Sequence, residues 1–151
     1  MKTIEEIKAD LTAKTGAEIA VEGNSLVIPK EKIQAVCSYL KENPDYRMDY
    51  LANLCATDFK EHLEVAYHIY SMAKKEGSLC LKTRTDREQA LVPTVTNIWR
   101  GAEYQEREAY ALVGVKFEGH PDLRRILMWD EFQHHPLRKD YVEDDQDLEV
   151  S

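Results

Sequence analysis

Residues 63–85 read LEVAYHIYSMAKKEGSLCLKTRT. Leu63, Val65, Tyr67 and Ile69 alternate with Glu64, Ala66, His68 and Tyr70, and Leu79, Leu81 and Thr83 alternate with Cys80, Lys82 and Arg84. A period of two is the signature of a strand whose side chains point to opposite faces in turn. Lys74-Lys75-Glu76-Gly77 separates the two runs. Upstream, Tyr50-Leu51-Ala52-Asn53-Leu54-Cys55-Ala56-Thr57 is apolar and partly alternating. Together these predict three consecutive, largely antiparallel strands with one face on a core. His68 falls on the side away from Val65, Tyr67 and Ile69, which favours a surface or interface role over catalysis.

Working outward, Thr3-Ile4-Glu5-Glu6 matches a capping box, and Ile4, Ile7 and Leu11 share one helical face. Gly16 is a natural stop, so a helix is expected over 3–15. Ile19 and Val21, then Leu26 and Ile28, alternate on either side of Gly23-Asn24. Glycine at the first turn position takes positive φ without a Cβ clash, so this reads as a tight hairpin in preference to a plain loop. Pro29 suits a first helical turn, and Ile33, Val36, Cys37 and Leu40 follow at helical spacing. Asn43-Pro44 ends that helix, because a residue preceding proline is pushed out of the helical region. Pro93 is expected to open a short helical turn carrying Val95, Ile98 and Trp99, interrupted by Gly101. A last helix runs from about Ala102 to Val113 and stops at Gly114.

The predicted order is helix, strand, strand, helix, three strands, helix. That is an α+β two-layer sandwich, with helices on one face of a mixed or antiparallel sheet. An α+β domain over 1–119 is followed by an extended, irregular segment over 120–151, with a short strand or turn near Ile126. Asp140 to Ser151 holds six acids and no base, which predicts a free or partner-bound tail.

The 151 residues suit one domain with one core. The 43% hydrophobic and 32% charged residues are those of a soluble globular chain. A net charge of −8 argues against nucleic acid and against direct binding to anionic lipid, both of which need a basic face. No apolar run approaches the roughly 18 residues of a spanning helix. The opening MKTIEEIKAD lacks a signal-peptide core, so the chain is expected in the cytoplasm, with any membrane contact made through partners. Cys37, Cys55 and Cys80 are far apart, which suits buried thiols in a reducing compartment. Cys37 lies on an apolar stripe and reads as core. An iron–sulfur cluster needs about four closely spaced thiolates, a set this chain does not hold. No G-x-G-x-x-G or Gly-Lys-Ser/Thr loop is present, and no serine or cysteine elbow.

The densest chemistry lies in Glu103–Tyr141, EYQEREAYALVGVKFEGHPDLRRILMWDEFQHHPLRKDY. Glu106, Arg107 and Glu108 stand in a row. Arg124 and Arg125 follow His120-Pro121-Asp122, and His135-Pro136 leads into Leu137-Arg138-Lys139-Asp140. A charge triplet alone is ordinarily a solvated helix face, but Leu112, Val113, Val115, Phe117, Leu123, Ile126, Leu127 and Trp129 are woven through this stretch. His120, His134 and His135 near Asp122, Asp130 and Glu131 raise a metal site, yet two of the three precede proline and read better as turns.

The order Glu-Arg-Glu, Gly114, Val115, Phe117, Gly119, then His120-Pro121-Asp122-Leu123-Arg124-Arg125-Ile126-Leu127, closely resembles the 30 kDa-type (C) subunit of the proton-translocating NADH:quinone oxidoreductase, respiratory complex I. Related subunits occur in energy-converting membrane-bound hydrogenases. His135-Pro136-Leu137-Arg138-Lys139-Asp140-Tyr141 fits that family's closing motif. The chain departs from the pattern at Ala111, where an acid is usual, at Val113, where an aromatic is common, and at Val142-Glu143-Asp144-Asp145, where Pro-Leu is usual.

The resemblance implies a cofactor-free subunit of the cytoplasmic peripheral arm, on the cytoplasmic side of the cell membrane. It would sit against the large quinone-site (49 kDa-type or hydrogenase-like) subunit and adjoining iron–sulfur subunits. It carries no catalytic residue there; the assembly moves electrons from NADH to quinone and translocates protons. Glu106, Arg107, Glu108, His120, Asp122, Arg124, Arg125, His135, Arg138 and Lys139 are the expected partner-interface residues. Arginine suits that role because its planar fork bonds carboxylates in pairs and stays charged when desolvated. The alternatives are the equivalent subunit of a ferredoxin-linked hydrogenase and a small independent cytosolic enzyme using His120, Asp122 and Arg124.

Overall fold

The structure is a computed structural model that describes residues 2–121. Helix α1 spans Ile4–Thr15. The Thr3 hydroxyl accepts from the Glu6 amide at 3.2 Å, and the Glu6 carboxylate accepts from the Thr3 amide at 3.3 Å, which satisfies two of the amides a helix start leaves open. Gly16 closes the helix at φ 73°. Thr3→Ala is expected to cost about 1 kcal/mol and to lower the thermal midpoint by roughly 2–4 °C. An unchanged melting curve would show that the box contributes nothing.

Strands β1 (Ala20–Glu22) and β2 (Ser25–Val27) form the expected antiparallel hairpin, with Gly23 at φ 60° in the turn. After Pro29 a single 3-10 turn, Lys30–Lys32, leads into α2 (Ile33–Glu42). Ile33, Val36, Cys37 and Leu40 are all fully buried, as their spacing predicts, and Asn43 turns extended ahead of Pro44.

Strands β3 (Tyr50–Asp58), β4 (Leu63–Ser71) and β5 (Glu76–Thr85) pair antiparallel. β2 joins β5 in parallel with Leu26 opposite Leu81, so the sheet is mixed, in the order β1-β2-β5-β4-β3. Val65, Tyr67, Ile69 and Leu81 point into the core and are fully buried. The register slips between Ile69 and Tyr70, and β5 begins at Glu76, inside the expected separator.

Strand parity corrects the expectation that all three thiols are buried. Cys37 is buried, but Cys55 is exposed and Cys80 half-buried. Cys55 stands opposite Ala66, and Cys80 opposite His68. Both therefore lie on the face away from Val65 and Tyr67. On that face Arg84 bridges Glu22 at 2.5 Å and Glu64 at 2.9 Å.

The expectation for Pro93 is also corrected. Pro93 itself ends strand β6 (Leu91–Pro93), which pairs in parallel with β7 (Lys116–Glu118) in a separate two-stranded sheet; the expected turn follows it, with the Ile98 and Trp99 amides donating to the Val95 carbonyl at 3.0 and 2.9 Å. Three residues are too short for a period to register, and a strand end tolerates a proline. Helix α3 covers Ala102–Val113 and stops at Gly114 in the left-handed conformation, as expected. Apolar residues from all three helices and both sheets form one core.

Candidate functional site

The site grows from the α3 face that carries Ala102, Glu106, Ala109 and Val113. These positions are spaced for one side of a helix, and all four are buried. Three are small or apolar; the fourth is a carboxylate with 0% exposure. A buried carboxylate needs hydrogen-bond donors, because desolvation otherwise makes its charge very costly. The segment between β6 and α3 supplies them. The Val95 amide donates to one Glu106 oxygen at 2.9 Å, and the Thr94 hydroxyl donates to the other. Burial still dominates: the Glu106 carboxyl is pushed up to about 7, with the Thr94 and Val95 bonds pulling the other way.

That connecting segment is tied down on every side. Gln34 of α2 donates to the Thr94 carbonyl at 2.7 Å, and Lys41 of α2 to the Ile98 carbonyl at 2.5 Å. The Trp99 indole donates to the Met48 carbonyl at 2.9 Å. The Thr94 amide donates to the Glu118 carbonyl at 2.8 Å, which extends the β6–β7 ladder by one bond. Glu106 is the point where α3 grips the segment from within the core.

His120 completes the cluster. Its ring Nε2 lies 2.9 Å from the Glu103 carbonyl and 3.9 Å from Glu106 Oε1, with both side chains fully buried. A carbonyl only accepts, so Nε2 carries a hydrogen and the ring is in the Nε2–H form or protonated. Two buried groups near Glu106 feel its charge. Burial pushes the Cys37 thiol of α2 up, and Glu106 adds to it. Burial likewise raises the Tyr67 phenol of β4, with Cys37 and Glu106 contributing.

The structure thus brings Glu106 and His120 together, and it places both inside the domain. Arg107 and Glu108 are half-buried on α3. Asp122, Arg124, Arg125, His135, Arg138 and Lys139 lie outside the described residues, as do the acidic tail and the turn or strand expected near Ile126. Of the three histidines weighed as metal ligands, His120 alone is described, and among the described residues no group of three or more His, Cys, Asp and Glu is placed to hold a metal. The sequence reading missed Thr94, Val95, Gln34 and Trp99 as members of the site. One signal was available: an acid interrupts the stripe Ala102, Ala109, Val113, and such an acid requires donors from elsewhere in the fold.

Among the described residues no helix is long and apolar enough to cross a membrane. Residues 26–147 match the family described as the 30 Kd subunit of the respiratory-chain NADH dehydrogenase. The chain is 42% identical over 120 residues to the C 2 subunit of the NADH-quinone oxidoreductase of Rhizobium meliloti, covering 78% of this chain and 65% of that protein. It is 38% identical to the corresponding C subunit of Moorella thermoacetica, covering 93% of this chain and 92% of the relative. Among solved structures, a trypsin-resistant fragment of Nqo5 superposes with a TM-score of 0.63 at 28% identity, covering 79% of this chain and 98% of the fragment. A chain of the membrane-bound sulfane sulfur reductase, an archaeal respiratory membrane complex, superposes with a TM-score of 0.70 at 27% identity, covering 91% of this chain and 85% of that one.

Proposed function

Because the chain belongs to the family of 30 kDa subunits of respiratory-chain NADH dehydrogenase, we propose that it is a subunit of a complex I-like NADH:quinone oxidoreductase, with no redox centre of its own. The observation that carries this reading is the family match, which spans the α+β sandwich from β2 onward and the charged segment after it. The placement of the cysteines supports the scaffold role. Cys37 lies in the core on α2, while Cys55 and Cys80 lie on the opposite face of the sheet, so the three thiols do not converge on one cluster.

On this reading residues 1–119 are a docking domain, and 120–151 are an interface segment that reaches the large quinone-site subunit and adjoining iron–sulfur subunits. Arg107, Glu108, Asp122, Arg124, Arg125, His135, Arg138 and Lys139 make the contacts. Glu106 and His120 act behind that surface, holding the segment's point of departure. The assembly works at the cytoplasmic side of the cell membrane, which this chain reaches through its partners.

A second reading is favoured by the archaeal structure. In it the chain fills the same place in another electron-transferring membrane complex, such as a ferredoxin-linked hydrogenase.

The test is purification of the tagged chain from membranes solubilised in mild detergent. The expected result is recovery with iron–sulfur and quinone-site subunits and with NADH:quinone activity, while the isolated chain has none. Recovery with a large subunit bearing nickel-ligand cysteines selects the second reading. Turnover by the isolated chain overturns both.

A further inference from the structure

We propose that the free edge of β3 receives an extended segment of another subunit, whose main chain adds a strand to the sheet and which sets an acidic side chain into the cavity at the Tyr50 end. The proposal rests on the reading of this chain as a subunit of a larger complex, and it names how one partner is bound.

Strand β3 is the last of the five-stranded sheet, and only β4 pairs with it there. The Ile28 amide donates to the Lys82 carbonyl at 2.7 Å, so the backbone of Lys82 faces β2 and that of Leu81 faces β4. Carried across the pairs Leu81–Tyr67 and Ala66–Cys55, the alternation turns the backbone of Cys55 toward β4 and that of Leu54 and Ala56 outward. The Leu54 amide does run outward, to Gln105 Oε1 of α3 at 2.6 Å. The Leu54 carbonyl and both backbone groups of Ala56 meet no strand. Edges are commonly blocked by lysine or proline. The sequence of β3, YLANLCATD, holds neither, and its one charge, Asp58, is buried against Arg87. Among the described residues, three of the five exposed large hydrophobic side chains border this edge. Tyr50 and Phe59 stand at its ends, and Tyr104 precedes Gln105 on α3. Aromatic residues are enriched where subunits meet.

Charge selects the occupant. At the Tyr50 end a cavity of about 440 Å³ opens among Lys41, Asp49, Tyr50, Thr96 and Arg100, room for a side chain and not only for an ion. Asp49 already accepts from the Met72 amide at 2.8 Å. Lys41 is fixed by its bond to the Ile98 carbonyl, and Arg100 is exposed. Two cations against one anion favour an incoming carboxylate. A second copy of this chain fits less well. Antiparallel pairing of Leu54 with Ala56 of the copy would set Tyr50 opposite Lys60 of that copy, bringing a third cation to the cavity.

The test uses the complex recovered with the tagged full chain. Exchange of the Ala56 amide, read by mass spectrometry on the 54–58 segment, is expected to be at least about tenfold slower in the complex than in the isolated chain. Arg100→Glu is expected to melt as the parent does and to be retained in the complex at least about fivefold less, with the deficit shrinking at high salt. Ala56→Pro removes the outward amide and leaves the bonds to β4 whole, so it is expected to be lost from the complex in the same way. If Ala56→Pro does not fold, the exchange of the parent and the retention of Arg100→Glu decide. Unchanged Ala56 exchange in a complex that forms, normal retention of Arg100→Glu, or a dimer of the isolated chain that itself slows Ala56 exchange overturns the proposal and leaves the subunit reading standing. Failure of the parent chain to recover with any other subunit overturns that reading, and the proposal with it.

Discussion

Glu106→Ala is expected to destabilise the domain by about 3 kcal/mol, within the range for breaking a buried polar network. The truncation leaves the Val95 amide and the Thr94 hydroxyl without their acceptor, and it opens space in a core where the flanking residues Ala102 and Ala109 are too small to fill it. Glu106→Gln separates the loss of bonding from the loss of charge, because the amide preserves both bonds. It is therefore expected to remain close to the parent at pH 6. The pH dependence follows from linkage. The Glu106 carboxyl has an ordinary value of 4.5 and is raised to about 7 in the folded chain. The folded state then binds the proton more tightly than the unfolded state between those values. The stabilisation is fully present below about pH 4.5 and is lost as pH rises through about 7. At 1.36 kcal/mol per unit the loss is at most roughly 3 kcal/mol. The carboxyls of Asp10, lowered by its bonds to Lys2 and Tyr46, and of Glu22, lowered by its bond to Arg84, act the other way. Their contribution is lost only as pH falls through the acid range. Stability measured by urea unfolding is thus expected to decline from pH 5 to pH 8 in the parent and to be nearly flat over that range in Glu106→Gln. A parent chain more stable at pH 8 than at pH 5 would show that the carboxyl is not held protonated.

Arg124→Ala and Arg125→Ala are expected to have their main effect on assembly, with little change in the melting temperature of the isolated chain. The two arginines follow the His-Pro-Asp turn in sequence, just past the last described element. Glu106 already accepts from Thr94 and Val95 and has no exposure. Glu108 is half-buried on α3, and partner carboxylates remain. Adjacent side chains on extended backbone point to opposite sides, so the expectation is that one arginine pairs inward and the other meets a partner. Truncating a desolvated interface charge costs about 2–5 kcal/mol of binding, whereas an exposed pair contributes under about 1 kcal/mol. The first is enough to release a subunit during purification and the second is not. Each single variant should be melted alone and then scored for retention in the detergent-solubilised complex. Normal melting with normal retention in both would make the pair a solvated surface feature.

What could be read directly from the sequence was whatever depends on neighbours along the chain. The capping box at Thr3–Glu6, the stops at Gly16 and Gly114, the stripe Ile33, Val36, Cys37, Leu40 and the alternation of 63–69 and 79–83 all express local rules with a period or a cap. These determined three helices, the hairpin and the three long strands, and hence the two-layer class. The charged order from Glu106 to Leu127 determined the family. Long-range pairing decided the rest. β6 and β7 are three residues each and form only because Leu91–Pro93 and Lys116–Glu118 meet, which no local period records. The exposure of Cys55 follows from its register against Ala66, and the exposure of a thiol cannot be read from a count of cysteines. The role of Glu106 changed most. As part of a Glu-Arg-Glu triplet it is expected at a partner interface, yet its helical phase turns it into the core, and the donors it needs come from Thr94 and Val95, eleven or twelve positions earlier in the chain. A charge declares itself in sequence, but its burial is set by which elements close over it.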